Sequence, residues 1–96
     1  MRKLISYDDV LLKPQYSDIK SRNEISVSTD LGNGLELTLP VIASPMDTIS
    51  EAAMAVAIGN CGGTAIIHRY NSIESQSNMI SVAKSTSSAN INIGAA

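Results

Sequence analysis

The chain has 96 residues, room for at most one small domain, and its single cysteine, Cys61, excludes an internal disulfide. A formal net charge of −2 gives no concentrated basic patch, since only Lys13, Lys20 and Arg22 come near one, so a nucleic-acid partner is not expected. With no Phe, no Trp and three Tyr, any core must be aliphatic and filled by alanine. Met1-Arg2-Lys3 starts like a signal peptide, but Asp8 and Asp9 interrupt before an apolar segment forms, and no run reaches the ~18–20 apolar residues of a membrane span. The expectation is a cytoplasmic chain with no membrane partner.

Residues 4–12 alternate poorly and read as an extended lead-in whose Val10, Leu11 and Leu12 pack on a neighbouring surface. Pro14 disfavours helix at Lys13, and residues 15–24 are polar and irregular. Ile25 and Val27 alternate with serines, and Leu35, Leu37 and Leu39 alternate with Glu36 and Thr38. The Gly32-Asn33-Gly34 turn signal between them predicts an antiparallel hairpin.

Pro40 opens an apolar run through Val41, Ile42 and Ala43, as expected of a parallel strand covered on both faces. Thr48 and Glu51 have the spacing of a capping box for a first helix, with Ser50 as a competing cap, and Gly59 and Gly62-Gly63 end that helix. Thr64 to Ile67 form a second buried strand. Asn71 and Glu74 repeat the capping pattern for a second helix running to about Lys84, with Ile73, Ile80 and Ala83 inward and Glu74, Gln76 and Asn78 outward. Residues 85–88 are a polar link, and Asn90 to Ala95 begin a third strand. Strand starts near 40, 64 and 90 give roughly 24–26 residues per unit, the size of a repeated β–loop–α–loop element. The expected fold class is therefore α/β, the chain being the front part of a larger protein: eight such units would close a barrel, and five or six would make an open sheet.

In a parallel sheet the loops after strands one and two emerge on the same side. Ser44, Met46, Asp47 and Thr48 would thus converge with His68, Arg69 and Tyr70 at one rim. A thioether for a flat apolar face, and an arginine or backbone N–H groups for an anion, suit a nucleotide or phosphate ligand. Simpler roles compete: Thr48 and Asn71 as caps, Asp47 as a loop brace, Met46 as core filler, His68 as a structural histidine. Gly62-Gly63 lacks the spacing of a dinucleotide or triphosphate loop, one histidine and one cysteine make no metal cluster, and Cys61 falls at the end of the sheet away from the rim, a poor position for a nucleophile.

Four segments carry a resemblance that covers nearly the whole chain: DDVLLKPQYSDI at 8–19, PVIASPMDTISEAAMA at 40–55, GGTAIIHRYNSIESQ at 62–76 and IGAA at 93–96. Together they resemble the N-terminal part of the IMP dehydrogenase/GMP reductase family. The resemblance implies a (β/α)8 TIM barrel, usually a homotetramer, of which residues 1–96 would supply the lead-in and the first two to three βα units. It implies a purine nucleoside monophosphate bound at the C-terminal strand ends, with Ser44 and Met46 as substrate contacts and His68 and Arg69 on the cofactor side. For a dehydrogenase it implies conversion of IMP to XMP with NAD and a monovalent cation, potassium, by attack of a cysteine on purine C2. For a GMP reductase it implies the same barrel run reductively with NADPH. The SPMDT form leans towards the dehydrogenase, because reductases more often resemble ANMDT there.

The family's cysteine loop, main phosphate-binding glycine loops and flap belong to later strands, and Cys61 does not match the catalytic position, so no catalytic residue is expected within these 96 residues and the chain alone should be inactive. The short link from Lys84 to Ile91 leaves no place for the paired-CBS module that some members insert there. Thr64-Ala65 after Gly62-Gly63 replaces the commoner GG-x-G, a change expected to affect packing only. The contrasting reading is a self-contained module that binds a purine nucleotide without chemistry.

Overall fold

The computed structural model describes residues 2–87 and 91–96. Residues 2–28 form an irregular, solvent-exposed arm with two single 3-10 turns, Tyr7–Asp9 and Arg22–Glu24. The first turn engages one member of the acidic pair: the Asp9 carboxylate accepts the Ser6 amide at 2.8 Å. Of the expected packing of Val10, Leu11 and Leu12, Val10 is half buried while Leu11 and Leu12 are 98% exposed. No surface among the described residues covers Leu11 or Leu12. The radius of gyration, 17.4 Å, accordingly exceeds the ~12–13 Å of a compact chain this long.

The hairpin follows, with β1 at Thr29–Asp30 paired antiparallel to β2 at Glu36–Leu37. Its turn takes positive φ at Gly32, Asn33 and Gly34, and the Asp30 carboxylate accepts the Gly32 amide at 2.8 Å. The first strand starts beyond Ile25 and Val27, which stay half exposed: among the described residues no strand pairs with them, and alternation alone cannot supply a partner.

Three parallel strands come next, β3 (Ile42–Ala43), β4 (Thr64–Ile67) and β5 (Ile93–Ala95), in spatial order β3-β4-β5. Ile42 pairs with Thr64, and Ala65 with Ile93. Two helices connect them, α1 (Ala52–Asn60) and α2 (Ile73–Thr86). Such βαβαβ alternation is an arc of a (β/α)8 barrel. One face of the sheet packs on the helices: Ala55, Ala65, Ile67 and Ala83 are fully buried, with Ala43, Val56, Met79, Ile80 and Ile93 around them. Alanines let α1 lie close to the sheet, as the composition requires. Ile42 and Ile66 alternate onto the other face, which is not fully covered: Ile42 stays 46% exposed. Strand β3 begins two residues after Pro40, and Asn90, expected to open β5, lies outside the described residues.

Both helix starts differ from expectation. Thr48 adopts φ +62 in a turn, and α1 begins at Ala52 with Glu51 as its N-cap, so the Thr48–Glu51 capping box does not form; Ser50 does not cap either, its side chain being buried elsewhere. For α2 the cap is Ser72, whose hydroxyl accepts the Ser75 amide at 3.0 Å, rather than Asn71. Ile73 then falls at the first turn, 89% exposed, and α2 continues through Ser85 and Thr86. Gly59 is helical and the chain turns at Cys61-Gly62, where Gly62 holds φ +99 and the space of a Cβ is taken by the Thr38 hydroxyl. No helix among the described residues is long and apolar enough to cross a membrane.

Candidate functional site

The loops that leave β3 and β4 emerge side by side, because the two strands are parallel neighbours. Ser44 follows Ala43 directly and, by the pleat, continues the face of Ile42 away from the helices. A tight turn then forms around Met46, whose carbonyl accepts the amides of Ile49 at 3.2 Å and Ser50 at 2.9 Å. This turn leaves the Met46 side chain 49% exposed and needs the left-handed Thr48 backbone, unusual for a β-branched residue.

Ser50 is fully buried. Its hydroxyl donates back to the Ser44 carbonyl, and its own carbonyl accepts the His68 amide at 3.3 Å. The two strand-end loops are thereby joined through one residue.

His68, 2% exposed, is also enclosed. The Tyr70 amide donates to its Nδ1 at 3.1 Å, so the ring hydrogen resides on Nε2 and is donated to Glu51 Oε1 at 3.0 Å. Asp47 Oδ1 stands at 3.9 Å, beyond hydrogen-bond range. Asp47, Glu51 and His68 do bring three possible ligand atoms within 4.8 Å of one another. A cation on Nε2 would need its lone pair and would move the hydrogen to Nδ1, against the Tyr70 amide. His68 and Glu51 are therefore a hydrogen-bonded brace between the N-cap of α1 and the end of β4, the structural role that competed for His68, and Asp47 stands outside it.

Arg69 and Tyr70 follow on the open side, the guanidinium 6.0 Å from the Tyr70 ring centroid. With Pro45 and Ala96 they line a cleft at the strand ends. Gln76, expected to face solvent, instead ties this rim together: its amide donates to the carbonyls of His68 at 3.2 Å and Ala96 at 3.0 Å. Ser44, Met46 and Arg69 are thus exposed on loops that leave the same end of the sheet, whereas His68 is enclosed with both ring nitrogens engaged. Cys61 caps the C-terminal end of α1, exposed and at the opposite end of the sheet.

Sequence reasoning missed Ser50, Glu51 and Gln76 as members of the site. Ser50 reaches a carbonyl six residues back and Gln76 reaches across twenty residues, separations for which no local pattern exists. Glu51 carried a signal, its spacing from Thr48, but the carboxylate goes to an imidazole instead of a backbone amide.

Comparison with known proteins places these features in context. Residues 4–94 match the model of the IMP dehydrogenase / GMP reductase domain. The chain is 42% identical over 76 residues to the inosine-5'-monophosphate dehydrogenase of Nitrosopumilus maritimus, covering 79% of this chain and 16% of that protein. It is 45% identical over 76 residues to the GMP reductase of Leishmania donovani, covering 79% of this chain and 15% of that one. Among solved structures, GMP reductase from Trypanosoma brucei in complex with guanosine 5'-triphosphate is similar with a TM-score of 0.78 and 44% identity, over 83% of this chain and 19% of the other. The chain thus spans less than a fifth of the length of each of these relatives.

Proposed function

The chain belongs to the IMP dehydrogenase/GMP reductase family, and from that premise we propose that it forms the first part of the nucleotide rim of an oxidoreductase acting on a purine nucleoside monophosphate. The observation that carries this reading is the joint emergence of the Ser44–Met46 and His68–Tyr70 loops at the C-terminal ends of neighbouring parallel strands. Ser44 offers a hydroxyl and half-exposed Met46 an apolar surface for a purine. Arg69 offers an exposed cation beside the Tyr70 ring, chemistry suited to the phosphates and flat rings of a nicotinamide dinucleotide. The dinucleotide would supply the hydride chemistry. His68 serves the cofactor side by fixing the backbone ahead of Arg69, since its ring is occupied.

Of the two directions, we favour reduction of GMP with NADPH. The reductases of Leishmania and Trypanosoma are as similar to this chain as the dehydrogenase is, and a solved reductase structure is similar to it in three dimensions. The dehydrogenase direction, IMP to XMP with NAD and potassium, is supported by the SPMDT sequence at 44–48 and by the likeness to inosine-5'-monophosphate dehydrogenases. Residues 1–96 are read as part of the catalytic barrel without a CBS module, in a protein that assembles as a homotetramer.

The test uses the full polypeptide encoded by the gene, supplied with GMP and NADPH or with IMP and NAD, while nicotinamide absorbance is followed. Turnover of the first pair supports the reductase, and turnover of the second pair alone reverses the direction. Absence of turnover with both overturns the enzyme reading. The 96-residue chain by itself is expected to turn over neither pair, and activity above background would show that it holds a nucleophile this reading does not assign.

A further inference from the structure

We infer that Ser50 is a positioning residue for the nucleotide rim, acting on Ser44 and Met46 through their backbone carbonyls; the inference rests on the rim reading above. Ser50 is a polar loop residue with no exposed surface, and its hydroxyl, amide and carbonyl all have partners. The hydroxyl donates to the Ser44 carbonyl, the amide donates to the Met46 carbonyl at 2.9 Å, and the carbonyl accepts the His68 amide at 3.3 Å. These bonds reach both substrate-side residues and the first residue of the cofactor-side loop.

A serine at this place in the sequence would ordinarily cap α1 by accepting an amide ahead of it. Here the hydroxyl turns back six residues, and the N-cap position passes to Glu51, whose side chain caps no amide. Between the two ends of this backward bond the chain turns at Thr48, which is in the left-handed region. Strain at Thr48 and burial at Ser50 thus belong to one device. It holds the spacing between Ser44 and Met46, and it docks that spacing on the end of β4. Misplacing a binding group by even one ångström loses much of the benefit of preorganisation, so the hydroxyl is expected to govern nucleotide affinity although it touches no nucleotide.

The experiment compares S50A, S50T and S50C in the full polypeptide with its purine nucleotide. S50A is expected to raise KM for the nucleotide about tenfold with kcat changed less than about threefold, the pattern of lost uniform binding. S50T keeps a hydroxyl and restores KM, and S50C, close in size with a weaker donor, falls between and stands in should S50A not fold. Unchanged KM in S50A, or equal loss in S50A and S50T, overturns the inference. Amide hydrogen exchange on the 96-residue chain gives an answer that does not depend on activity. Exchange at Ile49 and Ser50 should quicken in S50A and recover in S50T while β4 amides hold; no change at Ile49 and Ser50 overturns it. Should the unsubstituted polypeptide turn over neither nucleotide pair, the rim reading fails and takes this inference with it. Failure confined to the variants removes Ser50 alone.

Discussion

Arg69 and His68 are adjacent in sequence and opposite in circumstance. The imidazole is enclosed, accepting the Tyr70 amide on one nitrogen and donating to Glu51 from the other, whereas the guanidinium is exposed beside an aromatic ring. Replacing Arg69 therefore removes a charge available to a ligand and disturbs little packing. In the full polypeptide, Arg69→Ala is expected to raise KM for the dinucleotide about tenfold, the weight of one charge-assisted contact. Its thermal midpoint and its KM for the purine nucleotide should stay near those of the parent. Equal KM for the dinucleotide would remove Arg69 from the cofactor side. Thr48 shows the same separation of neighbours. Its φ of +62 serves the turn around Met46, and the capping role that its spacing suggested is absent.

The turn from α1 into β4 is the tightest part of the core elements. Gly62 has φ +99 and faces the Thr38 hydroxyl, and its carbonyl accepts the Leu39 amide at 3.1 Å. Gly63 follows with a would-be Cβ 2.5 Å from the Val41 carbonyl oxygen. Two backbone segments meet there without room for a side chain, and this contact seats the hairpin's second strand and the lead into β3 against the α1–β4 turn. Gly62→Ala combines a left-handed backbone with a steric conflict and is expected to destabilise the chain by at least ~2 kcal/mol. A drop in thermal midpoint and loss of amide protection in β3 would check this. An unchanged midpoint would mean that the turn relaxes freely and does not hold the two segments together.

At the scale of the molecule, a small alanine-rich core supports a long arm and an incompletely covered sheet face. Tyr7, Leu11, Leu12 and Tyr16 are each more than nine-tenths exposed, which leaves them open to a protease specific for large apolar residues. Limited chymotrypsin treatment of the 96-residue chain should cut at these positions first and spare the βαβαβ unit from Ile42 onward. Protection of Leu11 and Leu12 would show that the arm packs on a surface. The half-exposed Ile42 and the partly buried Ile66 point the same way: a barrel arc has an inner face that only further strands can fill.

The parallel strands β3, β4 and β5, the two helices between them, the hairpin turn and the emergence of the two strand-end loops on one side were all legible in the residues. Each follows from short-range information: an apolar run, a glycine pair, a repeat length, and the rule that parallel strands send their loops to one side. The family could also be read from motifs spread along the chain. The uses of polar side chains could not. Thr48 and Glu51 have capping-box spacing, and nothing local discloses that an imidazole seventeen residues away competes for the carboxylate. Gln76 sits on a polar helical pattern, yet the ends of β4 and β5 bring two carbonyls within its reach. Val10, Leu11 and Leu12 are apolar enough to demand a partner, but apolarity is non-directional and names none. By itself, the sequence determined the order of elements and the end of the sheet from which the Ser44 and His68 loops leave. Tertiary structure decided which hydroxyl, carboxylate and amide hold that end in shape, because hydrogen bonds are directional and their partners are set by how the chain returns on itself.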